Sequence, residues 1–244
     1  MKNYKITVQY DGTKYNGWQR QGNTKNTIQE RFENVLSRMC GKNVEIFASG
    51  RTDAGVHADE QTANFKCDVL MRETQIQDYL NKYLPEDIRV TSIQEVDMRF
   101  HSRLNAVSKT YEYTIATEKP DVFIRKYVFF SDKKTDVEKM KSAAILFTGK
   151  HDFKGFSSVG RSKKSTVRTV NFIEIKEEDG LIKIRINGDG FLYNMVRIIS
   201  GTLFDVGCGV LEESVVEKIF QEKIREKAGA TLPASGLKLV KVYY

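Results

Sequence analysis

The residues best suited to chemistry lie in the segment Ser49–Ala58, which reads Ser-Gly-Arg-Thr-Asp-Ala-Gly-Val-His-Ala. Short apolar strands are predicted on both sides of it, at Val44–Ala48 and Gln61–Lys66. Gly50 and Gly55 flank Arg51 and Asp53, and glycine adopts positive φ without steric cost. The pattern therefore predicts a tight loop at a strand end that presents one guanidinium and one carboxylate, a common way to build a site.

Two interpretations of this loop are open at this point. A carboxylate such as Asp53 can act as a nucleophile or as a general base. Alternatively, Asp53 makes only an Asx-turn and Arg51 is only its ion-pair partner. The loop does not decide between them, so the choice depends on the rest of the chain.

The elements before and after the loop must hold it in place. A strand is predicted at Tyr4–Tyr10, and Thr27 and Gly41 bound an amphipathic helix as its N-cap and stop signal. Further elements follow along the chain: a helix at Thr74–Tyr83, strands at Ile88–Val90, Ile93–Val96 and Lys109–Ile115, a helix from Thr135 or Asp136 to about Phe147 with Gly149 as its end, and a polar loop at His151–Lys164. The remaining elements are a hairpin of Val167–Ile175 and Leu181–Ile186, an apolar helix at Phe191–Ile199, a helix at about Glu213–Arg225 and a closing strand at Leu237–Val242.

The same rhythm of strand, helix, strands and helix occurs in both halves. It predicts an α+β fold of two similar lobes, residues 1–104 and 105–244, which share a sheet. An active site is expected in the cleft between the lobes.

Composition narrows the class of protein. The chain has 244 residues, of which 40% are hydrophobic, and no apolar run approaches the ~20 residues of a membrane span. The N-terminus enters a strand pattern at once and lacks a signal-peptide core, so a cytoplasmic protein is expected. The net charge of +7 favours a polyanionic partner, and basic residues cluster at Arg161–Lys164 with Arg168 and at Arg99, Arg103 and Lys109.

The cysteines and histidines lack the spacing of a metal site. The three cysteines are far apart with no Cys-x-x-Cys pair, and the three histidines are equally scattered. A metal-dependent hydrolase using His57, Asp59 and His101 remains an alternative with little support from spacing.

Several segments together resemble one family, the tRNA pseudouridine synthases of the A type. In chain order they are Asp11-Gly12-Thr13 with Gly17-Trp18-Gln19, Gly50–Ala58, Gln61–Phe65, Phe100–Arg103, Lys109–Tyr113, Gly149–Phe153, Gly190–Arg197 and Ala234–Leu237. A lone Gly-Arg-Thr-Asp arises by chance, but this ordered set runs from near the first residue to near the last. The resemblance is therefore specific.

The resemblance implies an isomerase that converts uridine to pseudouridine in tRNA without a cofactor or a metal. Similar enzymes act on the anticodon stem-loop at positions 38, 39 and 40 and work as homodimers. The implied fold is two α/β lobes around a central, mostly antiparallel sheet with helices on one face.

Four residues take roles from the resemblance. Asp53 matches the catalytic aspartate, Arg51 an arginine associated with opening the RNA and the target base, Tyr111 the tyrosine that stacks on the uracil, and Arg197 the basic residue that pairs with the aspartate. Glu112 departs from the family pattern, where a basic or neutral residue is common, and this touches local charge.

The roles of Tyr111 and Arg197 have plainer alternatives. Aromatic residues of alternating strands usually pack in the core, so Tyr111 could be a core residue, and a core position is also the expectation for Tyr113. Arg197 could merely tie down a helix end, although an arginine among apolar residues needs a partner in either case. Trp18 and Phe191 are candidates for stacking or for packing. At the level of the whole chain, a non-catalytic RNA-binding protein, or a paralogue that acts on other uridines, remains open.

Overall fold

The computed structural model describes residues 1–160 and 165–244. The chain forms two compact units, of which the first is Met1–Val107 with Lys238–Tyr244 and the second is Ser108–Leu237. The two contiguous lobes of residues 1–104 and 105–244 stay a prediction. The basic cluster Arg161–Lys164 lies outside the described residues.

The described residues contain ten strands and five α-helices, and the strand pairing is mostly antiparallel, which confirms the predicted α+β class. The strands are β1 (Lys2–Tyr10), β2 (Ile46–Ala48), β3 (His57–Cys67), β4 (Ile88–Val96), β5 (Ser108–Ala116), β6 (Phe129–Phe130), β7 (Gly149–Asp152), β8 (Val167–Glu178), β9 (Leu181–Gly188) and β10 (Leu237–Tyr243). The helices are α1 (Ile28–Cys40), α2 (Glu73–Tyr83), α3 (Val137–Ile145), α4 (Met195–Gly207) and α5 (Val215–Glu222). In the described part of the chain, none of these helices has the length and apolarity to cross a membrane.

The strands of the first unit follow the order β4-β1-β3-β10, and β2 pairs with β3. β1 is antiparallel to both of its neighbours, whereas β10 runs parallel to β3 through the pair Lys238 and His57. Along β1, Tyr4, Ile6, Val8 and Tyr10 are all buried, as the alternating pattern predicts. This buried row anchors the strands from which the Asp53 loop emerges.

Helix α1 begins and ends where the sequence predicts. The Thr27 side chain accepts a hydrogen bond from the Glu30 backbone, and Gly41 adopts φ +65° at the C-terminus. Phe32 and Leu36 lie one turn apart and are fully buried, so the apolar face of the helix supplies core.

The strands of the second unit follow the order β5-β9-β8-β7, and the short β6 pairs with β5 in parallel. The predicted hairpin is present as β8 and β9. It turns through Asp179 at φ 52° and Gly180 at φ +70°, as a two-residue hairpin turn requires.

Several predicted boundaries are wrong. The strand after the Asp53 loop, β3, begins at His57 and not at Gln61. The residues His151–Phe156 are not an irregular loop, because β7 pairs with β8 and a 3-10 helix follows at Phe153–Phe156. The helix that carries Arg197 does not begin at Phe191. Asn194 adopts the left-handed conformation at φ 61°, which interrupts an α-helix, and α4 begins at Met195.

Candidate active site

The loop with Arg51 and Asp53 connects β2 to β3, and its first residues are fixed to β3. The Ser49 backbone N–H donates to the Thr62 carbonyl at 2.8 Å. The Ser49 hydroxyl donates to Gln61 Oε1 at 2.7 Å, and Gln61 Nε2 donates to the Gly50 carbonyl at 3.0 Å. The backbone is therefore held on the strand side immediately before Arg51.

Asp53 is the first residue of a hydrogen-bonded β-turn. The Val56 N–H donates to the Asp53 carbonyl at 3.1 Å, and Gly55 supplies the positive φ of +80°. The Thr52 hydroxyl is buried and lies 2.8 Å from the Tyr10 hydroxyl, whose pKa burial raises to about 12. Arg51 is exposed and Asp53 is half-buried, so the turn presents the two side chains to different environments.

A second segment of the chain, residues 11–19, holds this turn from the other side. The Trp18 N–H donates to the Thr52 carbonyl at 3.0 Å, and the Gly55 N–H donates to the Tyr15 carbonyl at 3.3 Å. A Cβ on Gly17, which has φ +89°, would lie 2.6 Å from the Thr52 carbonyl oxygen. Only glycine permits this approach, so the backbone around Asp53 depends on a residue that is distant in the sequence.

Sequence reasoning missed this role of residues 11–19, which it used only as family landmarks. A Cβ on Gly12 would meet the Val56 carbonyl oxygen at 2.0 Å, so the segment has two glycines pressed on the turn. The glycines at 12 and 17 were the available signal, because isolated glycines in polar segments often mark close backbone approach.

The structure assigns packing or local contacts to three side chains whose roles were open. Trp18 is 1% exposed and packs between Tyr10 and Phe32, with ring centroids 5.9 and 6.0 Å away. His57 begins β3 and is buried, and its Nδ1 lies 3.1 Å from both the Gly12 nitrogen and Asp11 Oδ1. His101 Nδ1 accepts from the Arg103 N–H at 3.1 Å.

The metal alternative gains no support from the geometry. Asp59, one of its three residues, forms an ion pair with Lys238 at 2.9 Å. Across the described ranges, no group of three or more His, Cys, Asp or Glu is placed to hold a metal ion.

Tyr111 lies on β5 in the second unit, opposite Ile186 of β9. Its ring meets that of Phe191 edge-on, with centroids 5.1 Å apart and an interplanar angle of 82°. Tyr113 is fully buried, and its hydroxyl donates to the Pro233 carbonyl at 2.8 Å. Tyr113 is the predicted core residue, and burial raises the pKa of its hydroxyl.

Arg197 lies in the first turn of α4 and is half-buried. Its Nε donates to the Leu232 carbonyl at 2.6 Å, and its Nη1 donates to Asn194 Oδ1 at 2.9 Å. The segment that supplies Leu232 lies close along the helix, because a Cβ on Gly201 would be 2.0 Å from the Ala230 carbonyl oxygen. The guanidinium is therefore held by the helix start and by this segment.

Glu112, the departure from the family pattern, has a local partner. It is 6% exposed, and its Oε2 accepts from Arg185 Nε at 2.6 Å across the β5–β9 pair. The residue alternates with Tyr111 and Tyr113, so it belongs to the opposite face of the strand.

The structure thus places Arg51 and Asp53 on one loop of the first unit. Tyr111 and Arg197 lie in the second unit. A cleft that unites all four side chains stays a prediction.

A family model described as tRNA pseudouridine synthase matches residues 6–105 and 143–244. This chain belongs to the tRNA pseudouridine synthase family. The synthase is 47% identical over 245 residues to "tRNA pseudouridine synthase A 2" of Bacillus cereus, with 100% of both chains covered. It is 49% identical over 240 residues to "tRNA pseudouridine synthase A" of Bacillus sp. (strain KSM-64), with 98% of each chain covered, and 45% identical over 245 residues to the protein of that name in Clostridium kluyveri, with 100% of both covered.

These relatives confirm the family resemblance. The synthase is an isomerase that forms pseudouridine in tRNA. Among solved structures it is similar to a crystal structure of a Cbf5-Nop10-Gar1 complex at 12% identity and a TM-score of 0.39, covering 97% of the synthase and 48% of that chain, and nothing follows from so weak a likeness.

Proposed function

We propose that this synthase isomerises the uridines at positions 38, 39 and 40 of the tRNA anticodon stem-loop, with Asp53 as its catalytic carboxylate. The observation that carries the proposal is the construction of the Asp53 turn. Its backbone is hydrogen-bonded to Trp18 and to Tyr15, and Asp53 is half-buried. A carboxylate on a turn with so little freedom is preorganised for a reacting group.

The reaction defines what the carboxylate must do. The bond between N1 and C1′ breaks, the detached uracil turns, and a bond forms between C5 and C1′; C5 then loses its proton to solvent, and N1 takes up one proton from solvent. Asp53 can attack the sugar or the base as a nucleophile, or remove a sugar proton as a base. Atoms and electrons balance within the nucleotide, so the proposal includes no cofactor and no metal.

Arg51 is proposed to open the RNA around the target base. A base that reacts outside the stack must first leave it, at a cost of a few kcal/mol. Arg51 is exposed and adjoins the Asp53 turn, so its guanidinium can take the place of the departing nucleotide or contact its phosphates.

Tyr111 is proposed to receive the flipped uracil, and Arg197 to pair with Asp53. The Tyr111 ring meets the Phe191 ring edge-on, and this contact favours one orientation of the Tyr111 ring. The Arg197 guanidinium is fixed by Leu232 and Asn194, so a further contact with a carboxylate costs little side-chain entropy.

The setting of the reaction is proposed on charge and on the family. A net charge of +7 suits a tRNA substrate, because phosphate neutralisation supplies affinity independent of sequence. We propose a cytoplasmic homodimer on the family resemblance alone.

The proposal is tested with unmodified tRNA that carries tritium at C5 of its uridines. We expect the purified protein, without additives, to release the label, and pseudouridine to map to positions 38, 39 and 40. Binding without release would favour a non-catalytic RNA-binding protein. Pseudouridine at other positions would contradict the proposed target.

A further inference from the structure

Arg51 is the first member of a hydrogen-bonded chain of four side chains. Its Nε donates to Gln19 Oε1 at 3.1 Å, and Gln19 Nε2 donates to Gln29 Oε1 at 2.8 Å. Gln29 Nε2 then donates to Glu33 Oε1 at 2.8 Å. We call these four residues, Arg51, Gln19, Gln29 and Glu33, the relay.

The far end of the relay is firmly anchored. Glu33 is 6% exposed on α1, and its second oxygen accepts from Arg20 at 2.7 Å. The Ile46 N–H donates to the same Glu33 oxygen that receives Gln29, at 3.4 Å. A buried carboxylate with three donors cannot move without losing charge-assisted hydrogen bonds, so it is a fixed reference point.

Every hydrogen bond in the relay runs in the same direction, from the guanidinium to the carboxylate. Gln29 Oε1 accepts from Gln19 and also from the Arg20 N–H at 2.9 Å, which fixes the orientation of its amide. Turning either amide over would place two donors against each other. Aligned hydrogen bonds between opposite charges polarise one another, so the relay specifies one orientation for Gln19.

Gln19 is also tied to the Asp53 turn through the main chain. The preceding residue, Trp18, donates its N–H to the Thr52 carbonyl at 3.0 Å. Gln19 therefore keeps its distance to Arg51 through a backbone contact as well as a side-chain contact.

The bond to Gln19 restricts an otherwise adaptable side chain. Arg51 is exposed, and in the part of the chain that the structure describes its Nε bond to Gln19 is its one hydrogen bond. Such a bond leaves the terminal nitrogens, and with them most of the guanidinium donors, available to RNA. It also lowers the entropy that an arginine loses when it binds.

We propose that Gln19 is a positioning residue, which holds Arg51 in the orientation that opens the target base pair. The inference rests on the proposed role of Arg51 in this synthase. Gln29 holds Gln19 and Glu33 holds Gln29, so both residues support the orientation of Arg51 indirectly.

A double-mutant cycle with tritium release from tRNA tests the inference. Gln19→Leu keeps the size of the side chain and removes the acceptor, and we expect kcat/KM to fall about tenfold, as for loss of a hydrogen bond to a charged group. Arg51→Ala should lower kcat/KM by more than Gln19→Leu does. The variant with both changes should be no slower than Arg51→Ala within about twofold, because Gln19 acts through Arg51.

A second readout concerns the substrate. With a tRNA whose target uridine faces a mismatched base, opening costs less, so the loss caused by Gln19→Leu should shrink to about twofold. A residue that only stabilised the fold would cause the same loss on both substrates.

Matched controls separate positioning from folding. Gln21→Leu changes the same residue type two positions further along the chain, outside residues 11–19. The Gln21 side chain donates to the Asn16 carbonyl at 2.8 Å and, among the described residues, makes no hydrogen bond with Arg51, so the change should leave activity unchanged. Gln29→Leu breaks the next bond of the relay and provides an independent variant, with a smaller loss in the same direction. Thermal unfolding of each variant checks that the fold is intact.

The outcomes distinguish this inference from the proposed function. The positioning role would be overturned if the losses of kcat/KM caused by Gln19→Leu and Arg51→Ala multiplied in the double variant. It would also be overturned if Gln19→Leu caused equal losses on paired and mismatched substrates. Either result would leave the target assignment untouched. Wild-type protein that forms no pseudouridine at positions 38–40 would instead overturn the proposed function.

Discussion

Asp53 and Arg51 lie two residues apart, yet the fold constrains them differently. The backbone of Asp53 is fixed by the turn and by residues 11–19, whereas Arg51 is fixed through its side chain by Gln19. A reacting carboxylate needs a fixed position. An arginine that displaces a base needs a defined orientation with its terminal nitrogens available to the RNA. The two kinds of constraint match the two proposed roles.

Replacement of Tyr111 tests the proposed stacking on the uracil. Tyr111→Ala should lower kcat/KM about ten- to hundredfold, since stacking of a base on an aromatic ring contributes about 1–3 kcal/mol. Tyr111→Phe keeps the ring and its edge contact with Phe191, so it should retain most activity. Steady-state tritium release measures both. Equal activity of the Ala variant and the wild type, or equal loss in both variants, would speak against stacking.

At the scale of elements, the sequence was most informative where local chemistry fixes a boundary. Thr27 and Gly41 predicted α1 because a hydroxyl that caps a helix and a glycine that ends it act within a few residues. The Asp53 loop was predicted for the same reason, from Gly50 and Gly55 between two short strands. These signals do not require knowledge of the tertiary structure.

The misplaced elements depend on distant residues. β7 carries a polar sequence and exists because it pairs with β8 through four residue pairs. The apolar run from Phe191 favours helix, yet Asn194 at φ 61° delays it, and its side chain accepts from Arg197. The contacts of residues 11–19 with the Asp53 turn also depend on tertiary structure, which is why the sequence offers candidate site residues one by one but not the segment that supports them.

Gly17→Ala tests whether residues 11–19 position the Asp53 turn. The new methyl group would lie 2.6 Å from the Thr52 carbonyl oxygen, so the turn must shift, and we expect tritium release to fall at least about tenfold from misplacement of Asp53. Stability should fall by more than the ~1–2 kcal/mol of a left-handed residue alone.

Gly41→Ala is the matched control for this prediction. Gly41 has φ +65° but nothing lies within 4 Å of its added Cβ, so it carries the backbone strain without the collision. It should lose about 1–2 kcal/mol in urea unfolding and keep full activity. If Gly17→Ala were as active as Gly41→Ala, the supporting role of residues 11–19 would be wrong.

At the scale of the whole molecule, the charge of +7 should govern how tRNA binds. We expect the logarithm of tRNA affinity to fall linearly with the logarithm of salt concentration, because bound phosphates release counterions. With about six phosphate contacts, affinity should drop on the order of 10³-fold between ~50 and ~200 mM salt. Fluorescence anisotropy with labelled tRNA measures this slope. An affinity insensitive to salt would contradict an electrostatic tRNA surface.

The central claim is that one carboxylate, Asp53, carries the chemistry. Single-turnover tritium release by Asp53→Asn tests it most directly, with Asp59→Asn as a control that removes a nearby carboxylate paired with Lys238. We predict that Asp53→Asn binds tRNA with an affinity within about twofold of wild type and releases no label above the enzyme-free rate, while Asp59→Asn releases it normally. Release by Asp53→Asn at the wild-type rate would contradict the account.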